Sequence, residues 1–275
     1  KADLFLAVKG NYIELGTIRT LQRQSIFCAN YFPDVETRQP GLPLEGLLGY
    51  DLMVTTKSFQ VDWLTERMGP ERVALLHHGY GPAVHRPHFD RQTRDHEWDI
   101  SYIGNASPRK LAWMAVVCRA FPDKRIAVAG FGWPQLIGIG QLVGATILPA
   151  AIGEDFARLA GRSAINLAFH YGRPAGSAWE DLVSTRTFEL PACQGFMLHI
   201  DNDEVRTLFT VGQEIDVFAD ADQLIERIGY YLPRPDERET MAMAAYARAV
   251  PAYSYHSRAA DLIALVEARS SITGG

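Results

Sequence analysis

No stretch of this 275-residue chain approaches the roughly 18 uninterrupted apolar residues that a bilayer span requires. The longest apolar runs, such as Ile126-Ala-Val-Ala129, are as short as strands, so no membrane span is expected. Cysteine is scarce as well. Cys28, Cys118 and Cys193 are odd in number, far apart and each set in an apolar segment. That pattern argues against a disulfide framework or a metal site and predicts buried free thiols in a reducing compartment, the cytoplasm. Positive charge is also in deficit: 27 Lys and Arg stand against 32 Asp and Glu, and the first 90 residues, with 9 against 10, hide no basic lobe. General nucleic-acid binding is therefore not expected. There is no internal repeat and no low-complexity tract.

What the chain does have is 47% hydrophobic residues, enough for one large core or two medium ones. Strand-like apolar runs recur at Leu4–Val8, Ser25–Phe32, Asp51–Thr55, Val73–His77, Asp99–Ile103, Arg125–Gly130, Ala145–Leu148, Ala164–Phe169, Phe196–Ile200 and Asp216–Phe218. Amphipathic segments separate them, with helices expected at Pro108–Phe121, Glu154–Ala160, Thr185–Gln194, Ala221–Tyr231, Arg238–Val250 and Ser257–Arg269. Alternation of this kind predicts an α/β chain with parallel sheets and right-handed crossovers. The segment Gly81–Glu97, rich in Pro, His and charge and without period, reads as an interdomain linker. It divides an N-terminal domain, 1–90, from a C-terminal domain, 91–255. A last helix over 256–275 carries Ala259, Leu262, Ile263 and Val266 on one face.

The richest stretch is Ser184-Thr-Arg-Thr-Phe-Glu-Leu-Pro-Ala-Cys-Gln-Gly195-Phe-Met-Leu198. Ser184 and Thr185 are good N-cap residues for a helix whose free N–H groups and positive dipole end can receive a diphosphate. Arg186 adds a fixed charge in the first turn. Glu189 follows one turn later, where a carboxylate can accept two hydrogen bonds from a vicinal diol such as a ribose. Gly195 is expected to end the helix before a buried strand. The same spacing also serves an ordinary capped helix with a solvent-facing Glu.

Other candidates follow strands. The Gly104-Asn105 turn after Asp99–Ile103, with Pro108 opening a helix and Arg109 in its first turn, is where open α/β sheets bind ligands. Arg109 is equally read as a surface charge. After Arg125–Gly130 comes Phe131-Gly-Trp133, in which Trp133 or Phe131 can pack on a nucleobase or close the core. Lys9, His77, His78 and Tyr80 follow strands of the first domain, and His85 lies in the linker; these are acceptor-side candidates. His78, together with His170 after Ala164–Phe169, is also a candidate to polarise a reacting oxygen, although a structural His fits each position too. Adjacent His77 and His78 point to opposite faces of a strand and have no carboxylate or Cys at ligand spacing, so no metal site is expected.

Arg186-x-Phe-Glu189-x-Pro-Ala-Cys-x-Gly195-Phe-Met-Leu198 resembles the donor-site signature of GT-B glycosyltransferases, in particular the bacterial group related to the spore-maturation glycosyltransferases. Asp99-Ile-Ser-Tyr-Ile-Gly-Asn105, Gly212-Gln-Glu-Ile215 and Tyr255-His-Ser-Arg258 extend the likeness over about residues 70 to 265. The resemblance implies two Rossmann-like domains whose parallel sheets face a cleft, the last helix crossing back to the first domain. GT-B enzymes usually have a longer N-terminal domain, so it also implies that an opening strand, helix and strand are missing here or supplied differently. It implies transfer of a sugar from a nucleoside-diphosphate sugar, with no cofactor and no bound metal. The diphosphate would sit on Arg186, Ser184, Thr185, Gly104, Asn105 and Arg109, the ribose on Glu189 and the base by Trp133. Asp181 stands eight residues before Glu189, where many retaining members place a glutamate against the donor sugar. The acceptor stays open between glycan, protein, small molecule and modified nucleobase. Alternative readings are a GT-B-fold nucleotide-sugar epimerase and a non-catalytic binding module.

Overall fold

The computed structural model describes residues 2–88, 96–138, 140–172 and 179–273, and side chains as far as Ser270. The expected domain boundary falls on residues 89–95, which lie outside the described residues. The chain forms two compact units: one holds the chain to His78, the stretch ending at Asp181 and the chain from His256; the other holds Gly79 to Gly172 and Leu182 to Tyr255.

In the first unit β1 (Leu4–Val8), α1 (Leu15–Arg23), β2 (Phe27–Phe32), α2 (Leu44–Leu47), β3 (Leu52–Thr55), α3 (Val61–Met68) and β4 (Val73–Leu75) succeed one another. The four strands are parallel, in the order β1-β2-β3-β4. The second unit runs β5 (Trp98–Ile103), α4 (Pro108–Ala120), β6 (Ile126–Ala129), α5 (Trp133–Leu136), β7 (Ala145–Leu148), α6 (Glu154–Gly161), β8 (Ser163–Ala168), α7 (Thr185–Ala192), β9 (Met197–Ile200), α8 (Asp203–Leu208), β10 (Asp216–Phe218), α9 (Ala221–Tyr231) and α10 (Pro235–Ala249). Its six parallel strands lie in the order β10-β9-β8-β5-β6-β7. The final helix, α11 (Tyr255–Thr273), belongs from His256 to the first unit.

The strands of the second sheet are largely apolar because both faces are covered, and buried polar residues within them are paired, as Ser101 of β5 donates to Asn166 of β8 at 2.9 Å. Ile126 and Val128 of β6 join Ile100, Tyr102, Met114 and Val117 on one side, under α4 and α9. Ala127 and Ala129 face the other way, toward Ala157 and Ala160 of α6, where small side chains permit close helix approach. In the first unit α11 lays Leu262 and Val266 on Ala29, Leu52 and Val54. Each such burial is worth roughly 1.5–3 kcal/mol. The expected apolar face of that helix needs correction: Ile263 and Ala259 are exposed, and Leu265 takes part instead. The helix after Ser184 is also shorter than expected. It stops at Ala192, and the left-handed residue beyond it is Gln194 (φ 57°), not Gly195. Gly195 is required for another reason, since a Cβ there would lie 2.9 Å from Asn166 Nδ2.

The order of the second sheet reverses at β5. The chain leaves it for β6 on one side and returns through β8 on the other, so the carboxyl ends of β5 and β8 form the point where such sheets open a ligand crevice.

Candidate functional site

A cavity of about 450 Å³ opens at this point, within the range of small-ligand sites. Gly104 and Asn105 after β5, Gly130 and Phe131 after β6, Ile152 and Gly153 before α6, and Thr185, Arg186 and Glu189 of α7 line it, together with Val84 and His85. The turns approach each other closely enough to need glycine. A Cβ on Gly104 would lie 1.9 Å from Arg186 Nη2, and one on Gly130 (φ 151°) would lie 2.1 Å from the Gly104 carbonyl oxygen. Asn105 braces the floor by accepting the Phe131 N–H at 3.2 Å, while its carbonyl accepts from Lys110 Nζ at 2.9 Å.

Arg186, only 9% exposed, bridges the two strand ends. Its Nε donates to the Ile103 carbonyl and its Nη1 to the Phe169 carbonyl at 3.3 Å, and the guanidinium lies 4.9 Å from the centre of the Tyr102 ring. Among the described residues no carboxylate forms an ion pair with it. Strand-end carbonyls and an aromatic face thus hold a buried cation beside an open cavity, an arrangement that favours an anion. Glu189 is a half-buried neighbour on the same helix. Burial pushes its carboxyl up to about 7, against the lowering influence of Arg186 and of a hydrogen bond from Thr185. The Ser184 N–H donates to Thr187 Oγ1 at 3.3 Å, closing the first turn of α7.

Several expected residues are placed otherwise. Trp133 is wholly buried, edge-on to Tyr102 with its indole N–H donated to the Gly104 carbonyl at 2.8 Å, which leaves no ring face for a base. Phe131, 62% exposed, is the aromatic on the cavity. Arg109 is half-buried in the first turn of α4, and its guanidinium lies over Gly172 rather than lining the cavity. His170 is also buried away from it. The His199 Nδ1–H donates to the Ile200 carbonyl at 2.6 Å, so His199 Nε2 is the acceptor for His170 Nε2–H at 2.9 Å and for the Thr187 hydroxyl at 3.0 Å. Burial lowers His199 to about 4, keeping this brace neutral.

Asp181 belongs to the first unit, where it forms a buried ion pair with Lys57 at 2.5 Å. Lys57 itself follows β3 and was not singled out by the sequence. His78 is in the same unit with Nε2 3.2 Å from Thr56 Oγ1; burial, then Lys57 and His77, lower it to about 3. His77 is half-buried, and its carbonyl accepts from the Tyr31 hydroxyl. Lys9 pairs with Asp34 at 2.7 Å at the carboxyl end of β1. Tyr80 lies in the second unit, buried and bridged to Ser254, so it offers no surface to an acceptor. His85, set by the sequence among the acceptor groups, instead lines the cavity. Lys110 and Tyr102 were missed. The spacing Tyr102-x-Gly104 and a cation in the first turn after Pro108 are the signals that could have found them.

The three cysteines are buried free thiols. Among the described residues no helix is long and apolar enough to cross a membrane, and no group of three His, Cys, Asp or Glu is placed to hold a metal ion.

Comparison with solved structures shows the GT-B fold. Sucrose-phosphate synthase from Thermosynechococcus elongatus is similar at a TM-score of 0.68 and 14% identity, covering 99% of this chain and 74% of that one. HepE from Anabaena in complex with UDP is similar at 0.71 and 10% identity, covering 97% and 79%. AviGT4, a glycosyltransferase involved in avilamycin A biosynthesis, is similar at 0.61 and 15% identity, covering 94% and 78%. No curated protein matches the sequence. The glycosyl transferase-like family matches over residues 109–264, which is more than half of the chain and includes the whole of α7 with its buried arginine; the protein belongs to that family.

Proposed function

We propose that this protein transfers a sugar from a nucleoside-diphosphate sugar to a hydroxyl-bearing acceptor without a bound metal. The observation that carries the reading is Arg186, a buried cation at the reversal point of the second sheet with which no carboxylate among the described residues forms an ion pair. In glycosyl transfer the bond from the anomeric carbon to the β-phosphate oxygen breaks with its electron pair going to the phosphate, and the acceptor oxygen bonds to that carbon as its proton leaves. Stabilising the departing phosphate is the main task, which suits a fixed guanidinium beside helix N–H groups. Arg186 with the N–H groups of Thr185 and Arg186 at the start of α7 and the Gly104-Asn105 turn takes the diphosphate, Glu189 the ribose diol, and Phe131 the face of the base. With Arg186 supplying the charge, no metal is required. The first unit, with Lys9, His77 and His78, is assigned the acceptor, and the three buried thiols suit the cytoplasm. HepE, a structural neighbour, has been solved with UDP-glucose, which makes uridine the first donor nucleoside to try.

The test is incubation with a panel of nucleotide sugars and candidate acceptors, with and without a chelator, reading released nucleoside diphosphate and glycosylated product. Release that requires an acceptor and survives the chelator is expected. An altered nucleotide sugar with no acceptor present would point to epimerase chemistry. Metal-dependent release would sink the metal-free reading.

A further inference from the structure

Among the described residues that line the cavity, three are ionisable, namely His85, Arg186 and Glu189. The strands β5 and β6 and the helix α6 present none to it. The nearest charge at the start of α6, Glu154, is engaged at the surface by Arg86 at 3.3 Å. On α7 itself Glu189 faces Arg186, Thr185 and the Cys193 thiol, whose ionisation burial pushes far up.

His85 is fixed around its whole ring. Its Nδ1 accepts the Gly81 N–H at 3.0 Å, which makes it the lone-pair nitrogen and puts the ring proton on Nε2. The ring sits edge-on to Phe156 with centroids 5.4 Å apart. Nε2 then lies 3.8 Å from Glu189 Oε1, longer than a hydrogen bond but with the N–H on the carboxyl's side. A single tautomer thus presents one N–H toward a carboxyl that has few other partners.

We propose that His85 is a positioning residue for Glu189: its Nε2–H orients the carboxyl that takes the donor's diol, and donor binding expels a proton from Glu189. The inference rests on the donor reading given above. A diol supplies two O–H donors and calls for an acceptor-only carboxylate, whereas the half-buried Glu189 by itself holds its proton up to about pH 7. His85, lowered to about 4 by burial, stays neutral over the same range and acts through its N–H dipole and not through charge. Above pH 7 the carboxylate is already ionised and affinity is flat. Below it, binding must displace the proton, and affinity falls by as much as tenfold per pH unit.

The experiment is calorimetric titration of the full chain with UDP-glucose between about pH 5.5 and 8.5, a range in which the diphosphate diester keeps a constant charge. Titrating near pH 6 in two buffers of different ionisation enthalpy counts the protons released. Expected are close to one proton released, affinity falling below pH 7, and a 2′-deoxyribose analogue that loses both effects. In His85→Phe the midpoint should rise by about one pH unit, because the carboxylate has lost the N–H dipole that faces it, and His85→Gln, which keeps an N–H on that side, should restore it. Binding without proton release in the wild-type chain, which needs no variant to fold, would overturn the inference and leave the donor reading intact. So would an unmoved midpoint in His85→Phe. If no nucleotide sugar in the panel bound at any pH, the donor reading itself would fall.

Discussion

A guanidinium loses much of its hydration on burial, and the two carbonyls that Arg186 meets return only part of that loss. A side chain so placed costs stability unless something else gains from it. Arg186→Met should therefore leave the empty chain at least as stable as the wild type, to within about 1 kcal/mol, while weakening nucleoside-diphosphate binding by roughly a hundredfold or more. Chemical denaturation and calorimetry on the same preparation read both numbers. Glu189 makes a separate prediction. Its acid is stabilised by the fold, with the ordinary value of 4.5 raised to about 7. Its contribution to stability is therefore complete below about pH 4.5 and is lost as the pH climbs to about 7, amounting to about 3 kcal/mol. In unfolding measurements at stepped pH, Glu189→Gln should gain on the wild type by that amount across the window. The buried histidines push the other way, since His78 and His199 are held neutral in the fold and protonate near 6.5 when unfolded, so they erode stability as the pH falls below 6.5. Comparing variant with wild type at each pH isolates Glu189.

At the scale of elements, the site depends on the turns after β5, β6 and β7 meeting the start of α7, the helix that follows β8. Gly104→Ala tests that meeting, because the new Cβ would displace the Arg186 guanidinium from Ile103 and Phe169. We expect a loss of about 1–3 kcal/mol of stability together with loss of diphosphate binding, and Gly229→Ala, at a helical glycine with open space around it, to leave binding unchanged. The strands were legible in the sequence because they are written as short apolar runs; Leu4–Val8 and Ala145–Leu148, partly exposed at the sheet edges, and the buried Asp216–Phe218 coincide residue for residue with the structure. The helices α1, α3 and α8 were not singled out, being short or rich in polar residues on their exposed faces. In the site, Arg186 and Glu189 could be read because a helix start sets their spacing. Trp133 and His170 could not be told apart from ligand groups, since a residue after a strand can turn inward or outward and only packing decides. Lys57 was missed and His85 was singled out for the wrong role, because their partners, Asp181 and Glu189, lie more than a hundred residues away.

For the whole molecule, the path of the chain matters. Immediately before α7 it runs through the first unit, where Trp179 packs against Phe59 and Trp63, and Asp181 pairs with Lys57. Four residues after Asp181 the helix with Arg186 begins. Removing one partner of a buried ion pair strands the other, so Lys57→Met should cost about 3–5 kcal/mol of stability, and adding Asp181→Leu should recover most of it. A double-mutant unfolding cycle measures the coupling. Because Asp181 is already committed to Lys57, the double variant should keep its affinity for nucleoside diphosphates; a matching loss of affinity would mean that Asp181 also serves the donor.

The most direct test of the account is thermal stabilisation of the wild-type chain and of Arg186→Met by a panel of nucleoside diphosphates and nucleotide sugars. A ligand at a hundred times its dissociation constant adds about 2.7 kcal/mol. The account predicts a base-selective rise in melting temperature for the wild type that is absent in Arg186→Met. No shift with any member of the panel, or an equal shift in both proteins, would contradict it.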